Sequence, residues 1–224
     1  MGDLKKILFV IFLLATGILF MPSAEAAPFT NGSFEFGNGN PGSGVIPLYN
    51  GSPNLTGWTI GGHSIDWIGT LWVAADGVRS IDLNGYGPGS ISQTFDTITG
   101  QTYEVGFKLS GVGVGDPDVK TLTGYVTGMA VPVEFQFDTT GAGYPNPMGW
   151  TECFFTFTAT GSNSTLSFVS TTTSPDYSGI YPGNPFGPAL DDVRVSAVPE
   201  PGTLLLLGSG LVGLVGYGRK RLKK

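Results

Sequence analysis

The 224-residue chain is 41% hydrophobic and 12% charged, with 36 glycines and 16 prolines. That apolar content excludes a disordered chain, and the Gly and Pro follow no collagen-like period, so they read as turn formers between short strands. The formal net charge is −6, but residues 27–196 alone carry four basic and fourteen acidic side chains, a net −10 that repels nucleic acid and suits a soluble extracellular protein.

At the start, MGDLKK places Lys5 and Lys6 ahead of an apolar run from Ile7 to Met21. Pro22-Ser23-Ala24-Glu25-Ala26 follows, and Ala24 and Ala26 fit a signal-peptidase site. Residues 1–26 therefore read as a signal peptide, with the mature chain beginning at Ala27. The alternative is a retained anchor, for which the run is short.

Residues 27–197 read as one all-β domain. Period-2 alternation puts Tyr103, Val105, Phe107 and Leu109 on one face of YEVGFKL, opposite Glu104, Gly106 and Lys108. VPVEFQFD alternates in the same way, and Pro132 marks it as an edge strand or a strand start. Cys153, Phe155, Phe157 and Ala159 share a face of TECFFTFTA. Leu166 and Phe168 do so in STLSFVS, and in LDDVRV the inward residues are Val193 and Val195, with Asp191 on their face at the strand start. Turn-rich pieces separate these runs: NGNPGSG, NGYGPGS, GVGVGDPD, GAGYPNPMG and SGIYPGNPFGP. Short strands joined by Gly/Pro turns, without an amphipathic helix, predict a β-sandwich or jelly roll.

Catalytic motifs are missing. Cys153 is the one cysteine and reads as an inert, buried thiol; His63 is the one histidine and reads as a hydrogen-bonded loop residue. Neither a zinc triad nor a G-x-S-x-G or GK[ST] motif is present. The expectation is a non-catalytic protein; a glycosidase or lyase, using two of the fourteen acids, is the alternative.

The chain closes with VPEP at Val198, Pro199, Glu200 and Pro201, an apolar stretch from Thr203 to Gly218, and then Arg219, Lys220, Arg221, Lys223 and Lys224. As a helix that stretch is about 24 Å long, a little short of the ~30 Å hydrocarbon core, and the cations after it snorkel to headgroups on the cytoplasmic side. This order of parts at residues 198–224 resembles a PEP-CTERM sorting signal. The resemblance implies recognition by an exosortase in a Gram-negative bacterium. It further implies cleavage near the motif and delivery to the envelope or an exopolysaccharide matrix. The tail then acts as an address and temporary membrane anchor; a permanent anchor is the alternative.

The body carries a resemblance of its own. NGSFE (31–35), GWTI (57–60), HSIDWIG (63–69), DGVRSIDLNG (76–85), GSISQTF (89–95), TYEVGFKLSG (102–111), GWTECFFTFTA (149–159) and FGPALDDVRV (186–195) occur in an order similar to the domain of unknown function 642 family. That family includes plant cell-wall proteins and bacterial choice-of-anchor C proteins. The resemblance implies a galactose-binding-like jelly-roll β-sandwich placed in carbohydrate-rich matrices. Plant members carry a cysteine just before the GP of the closing motif, where this chain has Phe186. The ends of the body also resemble calcium-bearing carbohydrate-binding modules. That likeness implies a structural calcium shared by Glu35 and Asp191 together with backbone carbonyls, with Asp192 beside them. The competing expectation is that Glu35 and Asp191 are satisfied by backbone N–H groups or by Arg79.

Glycan recognition calls for exposed aromatic platforms. Trp58 and Trp150 read as packing residues at strand starts. Tyr86 and Tyr144, both in turns, together with Trp67 and Trp72, are the candidates for binding an extracellular polysaccharide. A structural, self-associating matrix protein with no glycan site is the competing reading.

Overall fold

The computed structural model describes residues 28–113, 117–141, 147–173, 186–199 and 202. Eleven strands follow in chain order: β1 (Val45–Tyr49), β2 (Thr59–Gly62), β3 (Ser64–Ile68), β4 (Ser80–Asp82), β5 (Gly89–Asp96), β6 (Thr102–Gly111), β7 (Val119–Val126), β8 (Val133–Asp138), β9 (Thr151–Thr158), β10 (Asn163–Ser170) and β11 (Pro188–Ala197). They form two antiparallel sheets, ordered β1-β3-β4-β11-β6-β9 and β2-β5-β10-β7-β8. From β4 onward the chain crosses repeatedly between them, as in a jelly roll. The all-β sandwich expected from the sequence is the fold. Among the described residues no helix is long and apolar enough to cross a membrane. The expected signal peptide with Ala24 and Ala26, and the expected span at 203–218, lie outside the described residues.

Alternation builds the core between the sheets. Val105, Phe107 and Leu109 of β6 face Ile91 and Phe95 of β5, Leu122 of β7 and Phe168 of β10 in one cluster. The Phe107 ring meets those of Phe135 and Phe168 edge-on, each at 4.9 Å between centroids. That geometry suits aromatic quadrupoles better than a face-to-face sandwich. Val133 opens β8 at the edge of the second sheet, just after Pro132, where the missing N–H leaves no ladder bond unmade. Cys153 is half-buried against this core, and burial pushes its thiol pKa up, away from the reactive thiolate.

A smaller apolar cluster covers the other face of the six-stranded sheet. Ile68 and Ala189, which alternate with the core residues Trp67 and Leu190, pack there with Trp72, Val112 and Met148; Trp150 and Phe186 close over them.

One sequence expectation fails at β11. Alternation places Asp191 on the face of Val193. The register against β6 shifts between Asp191 and Arg194, and Asp192 takes a left-handed backbone with φ 48°. This bulge inserts one residue, so Leu190 and Val193 both enter the core while Asp191 turns to the opposite face. The N-terminal segment seals the bulge: Val193 N–H donates to the Gly32 carbonyl at 3.0 Å. A side chain at Gly32 would run into the Val193 carbonyl.

Candidate functional site

The segment Asn31-Gly-Ser-Phe-Glu is a folded clasp. Asn31 is left-handed (φ 53°), which its short polar side chain tolerates. Its Nδ2 donates to the carbonyls of Phe36 and Thr56, and its Oδ1 accepts from Phe36 N–H. The clasp ends at Glu35, whose Oε1 accepts from the N–H groups of Val78 and Arg79 at 2.7 and 2.8 Å. Asp191 takes the other end of the same loop, its Oδ2 accepting from Ala75 and Asp76 at 2.7 and 3.0 Å. Its Oδ1 accepts from Asp192 N–H, and the Asp192 carboxylate pairs with Arg194.

The two carboxylates meet the competing expectation, each held by a pair of backbone N–H groups. Glu35 and Asp191 are directed at separate N–H pairs rather than at one point, and Asp192 is turned to a guanidinium. Among the described residues no three His, Cys, Asp or Glu side chains converge as metal ligands. Burial raises the Asp191 carboxyl to about 7, against the lowering effect of its three N–H donors.

The aromatic candidates separate by burial. Trp67 is 0% exposed: its indole N–H donates to the Phe34 carbonyl at 2.9 Å, and the Arg79 guanidinium lies 4.8 Å from its ring centroid. Trp72 is buried too, donating to Ser80 Oγ at 2.8 Å. Both are corrections. In HSIDWIG, Trp67 shares its parity with Ile65 and so faces the core; neither indole offers a face to a ligand. Trp58 is buried as expected, and Trp150 packs over the smaller cluster. Tyr144 lies outside the described residues.

Tyr86 is 42% exposed, and it has a partner that the sequence reading missed. Tyr49, 52% exposed at the end of β1, lies with its ring 4° from parallel to that of Tyr86 and the centroids 5.9 Å apart. The signal was present in VIPLY: Leu48 is buried, so its neighbour Tyr49 points outward.

Polar groups flank this pair. Tyr86 N–H donates to Ser64 Oγ at 2.7 Å, and the exposed His63 contacts the same oxygen through Nδ1 at 3.2 Å. The rings of Tyr49 and His63 are 6.5 Å apart. Asp66 follows on the same face of β3 as Ser64, with Oδ1 close to Gly85; a methyl group there would sit 3.1 Å from it. Across the ladder Asp66 opposes Asp82 of β4, which is buried. Asp82 Oδ1 accepts from the N–H groups of Asn84 and Gly187 at 2.8 and 2.9 Å. Burial raises Asp66 to about 6. It raises Asp82 to about 8, its two N–H donors and the buried Lys120 acting in the lowering direction and Asp66 adding to the rise.

Elsewhere, a cavity of about 480 Å³ opens beside Phe29, Phe95, Tyr103 and Arg194. Of the sorting residues, Val198 is hydrogen-bonded to the domain and Pro199 is exposed; Glu200 and Pro201 lie outside the described residues.

Residues 27–196 match the family described as protein of unknown function (DUF642). The chain belongs to the DUF642 family. In this DUF642 protein, residues 197–221 match the PEP-CTERM protein-sorting motif, the mark of an exported, membrane-anchored surface protein that an exosortase processes. It is similar to halomucin of Haloquadratum walsbyi, with 28% identity over 197 residues. That alignment takes in 85% of this chain and 2% of halomucin, so the chain spans a small fraction of the relative's length. Among solved structures, TmCBM61 in complex with β-1,4-galactotriose superposes with a TM-score of 0.47 at 15% identity, over 76% of this chain and 97% of that one. CBM35 from Paenibacillus barcinonensis gives 0.42 at 19% identity, over 68% of this chain and 99% of that one. A family 35 carbohydrate-binding module from Clostridium thermocellum gives 0.43 at 16%, with the same coverage.

Proposed function

We propose that this DUF642 protein is a non-catalytic, polysaccharide-binding protein of the cell envelope or its exopolysaccharide matrix, with Tyr49 and Tyr86 as its platform. The exposed parallel pair carries this reading. Two phenol rings held open at the end of a rigid sheet offer apolar faces to the C–H face of a pyranose. Their hydroxyls, His63 and the half-buried Asp66 stand beside them as hydrogen-bonding groups for sugar hydroxyls. Ser64 fixes the Tyr86 backbone, so the platform is ordered before a ligand arrives, which lowers the entropic cost of binding.

Affinity electrophoresis of the purified protein through gels containing a panel of polysaccharides tests this. Retardation by one polymer class, lost in Tyr49→Ala and Tyr86→Ala proteins that remain folded, is the expected result. Migration unchanged in every polymer moves the function to a structural matrix protein, and release of reducing ends moves it to an enzyme.

A further inference from the structure

The sorting motif begins inside the folded domain. Val198 N–H donates to the Thr102 carbonyl at 2.9 Å, and Gln101 Nε2 donates to the Val198 carbonyl at 2.8 Å. Five residues further on, at Thr203, the apolar stretch starts. A fully extended chain covers at most about 3.6 Å per residue, so Val198 stays within about 18 Å of that stretch while the tail is attached. The end of the sandwich that holds Val198 is therefore tethered close to the bilayer surface.

That end is built from three connections in continuous contact. Segment 97–101 reaches segment 159–162 through Gly100 N–H to Ala159 O at 2.8 Å and Thr97 N–H to Ser162 O at 2.9 Å. Segment 127–132 follows, with Gly128 packed against the Thr160 side chain. In a domain of net charge −10, these connections (TITGQ, ATGS and TGMAVP) contain no charged residue. The nearest charges along the chain, Asp96, Glu104, Glu134 and Glu152, belong to β5, β6, β8 and β9. Two connections carry the most exposed large hydrophobic side chains among the described residues, Ile98 and Val131, each 70% exposed.

We propose that this end of the sandwich, with Ile98 and Val131 as its apolar tips, docks on the lipid bilayer while the tail is anchored. The charge pattern fits that occupant. An anionic headgroup surface repels carboxylates, and at the tethered end the acidic body presents a face whose three connections are neutral. Aliphatic side chains exposed at loop tips gain by entering the interfacial layer. The tyrosine platform then points away from the membrane. Tyr86 lies past Leu83, whose N–H meets Pro188 at the start of β11, whereas Val198 follows its end. The strand between them is about 30 Å long.

The full chain, in a Cys153→Ala background, is labelled with an environment-sensitive fluorophore at Ile98→Cys, Val131→Cys or Thr140→Cys. Thr140 is exposed at the opposite end, so it reports the protein's distal surface. Each protein is reconstituted into phosphatidylethanolamine–phosphatidylglycerol vesicles and recovered bound to them by flotation. Docking predicts blue-shifted emission at 98 and 131, quenched by spin-labelled lipid, with position 140 unaffected. Emission at 98 and 131 that matches position 140 overturns the proposal. So does a shift that appears only when exosortase is added, which assigns the face to a protein partner. No glycan enters the measurement, so its outcome is independent of the polysaccharide reading.

Discussion

Tyr49 and Tyr86 hold their rings 4° from parallel at 5.9 Å, although one ends β1 and the other sits in the turn after β4. Since both are exposed, neither ring is needed to fill the core. Replacing either with alanine is expected to weaken polysaccharide binding about 10-fold while leaving the melting temperature within a few degrees of wild type. Because the rings touch each other, the double variant loses less than the two single losses combined. Isothermal titration on the retained polymer measures both. Full affinity in the double variant places the glycan site elsewhere.

Glu35 and Asp191 fasten opposite ends of one loop through four backbone N–H donors. In Asp191→Asn the amide turns an NH2 toward N–H donors in a buried site, and in Glu35→Gln the charge assistance is lost. Each is expected to destabilise the fold by about 1–3 kcal/mol, read by urea denaturation. Since these oxygens are engaged, calcium followed by excess chelator is expected to shift the melting temperature by less than about 1 °C. A larger calcium-dependent rise, abolished in Glu35→Gln, would mean that a cation takes the place of the N–H groups.

Much of the architecture was legible because most strands face a core on one side only, β3 and β11 being packed on both. YEVGFKL and STLSFVS declare their buried faces by alternation, and Pro132 declares an edge. Trp67 was legible by the same rule and was misread: its neighbours in SIDWI already assigned it inward. The bulge at Asp192 was not legible, since a left-handed aspartate leaves no mark in LDDVRV. Backbone N–H partners for Glu35 and Asp191 were among the expectations, but which ones was hidden for another reason. They are backbone N–H groups, which every residue but proline has, brought close by a fold that joins positions more than 40 residues apart. The burial of Asp82 likewise depends on Gly187, far away in sequence.

The core position of Trp67 has an energetic consequence. Trp67→Phe removes part of a fully buried ring and leaves the Phe34 carbonyl without its indole donor. A loss of about 2–4 kcal/mol is expected, from cavity formation and the unpaired acceptor together. Urea denaturation measures it, and polysaccharide retardation should survive in the folded fraction. Loss of binding without loss of stability would instead return Trp67 to the candidate site.

Asp66, Asp82 and Asp191 together govern how stability responds to pH. Their carboxyls are raised by burial to about 6, 8 and 7, from an ordinary value of 3.8. Between the ordinary and the raised values the folded chain holds more protons than the unfolded chain. Their stabilising contribution is therefore complete below the ordinary value and is lost as pH rises through the raised ones. Glu152, held below its ordinary range by Lys108 and by Arg194, acts in the opposite sense on acidification, but as a surface group it contributes little. The melting temperature is thus expected to fall from pH 5 to pH 9, by roughly 5 °C or more for a chain of this size. Asp82→Asn keeps an Oδ1 acceptor for the Asn84 and Gly187 N–H groups and carries no charge, so it should flatten the upper part of that decline. A scanning calorimetry series in matched buffers decides the point. A melting temperature that stays level or rises over this range would show that these carboxyls are hydrated rather than buried.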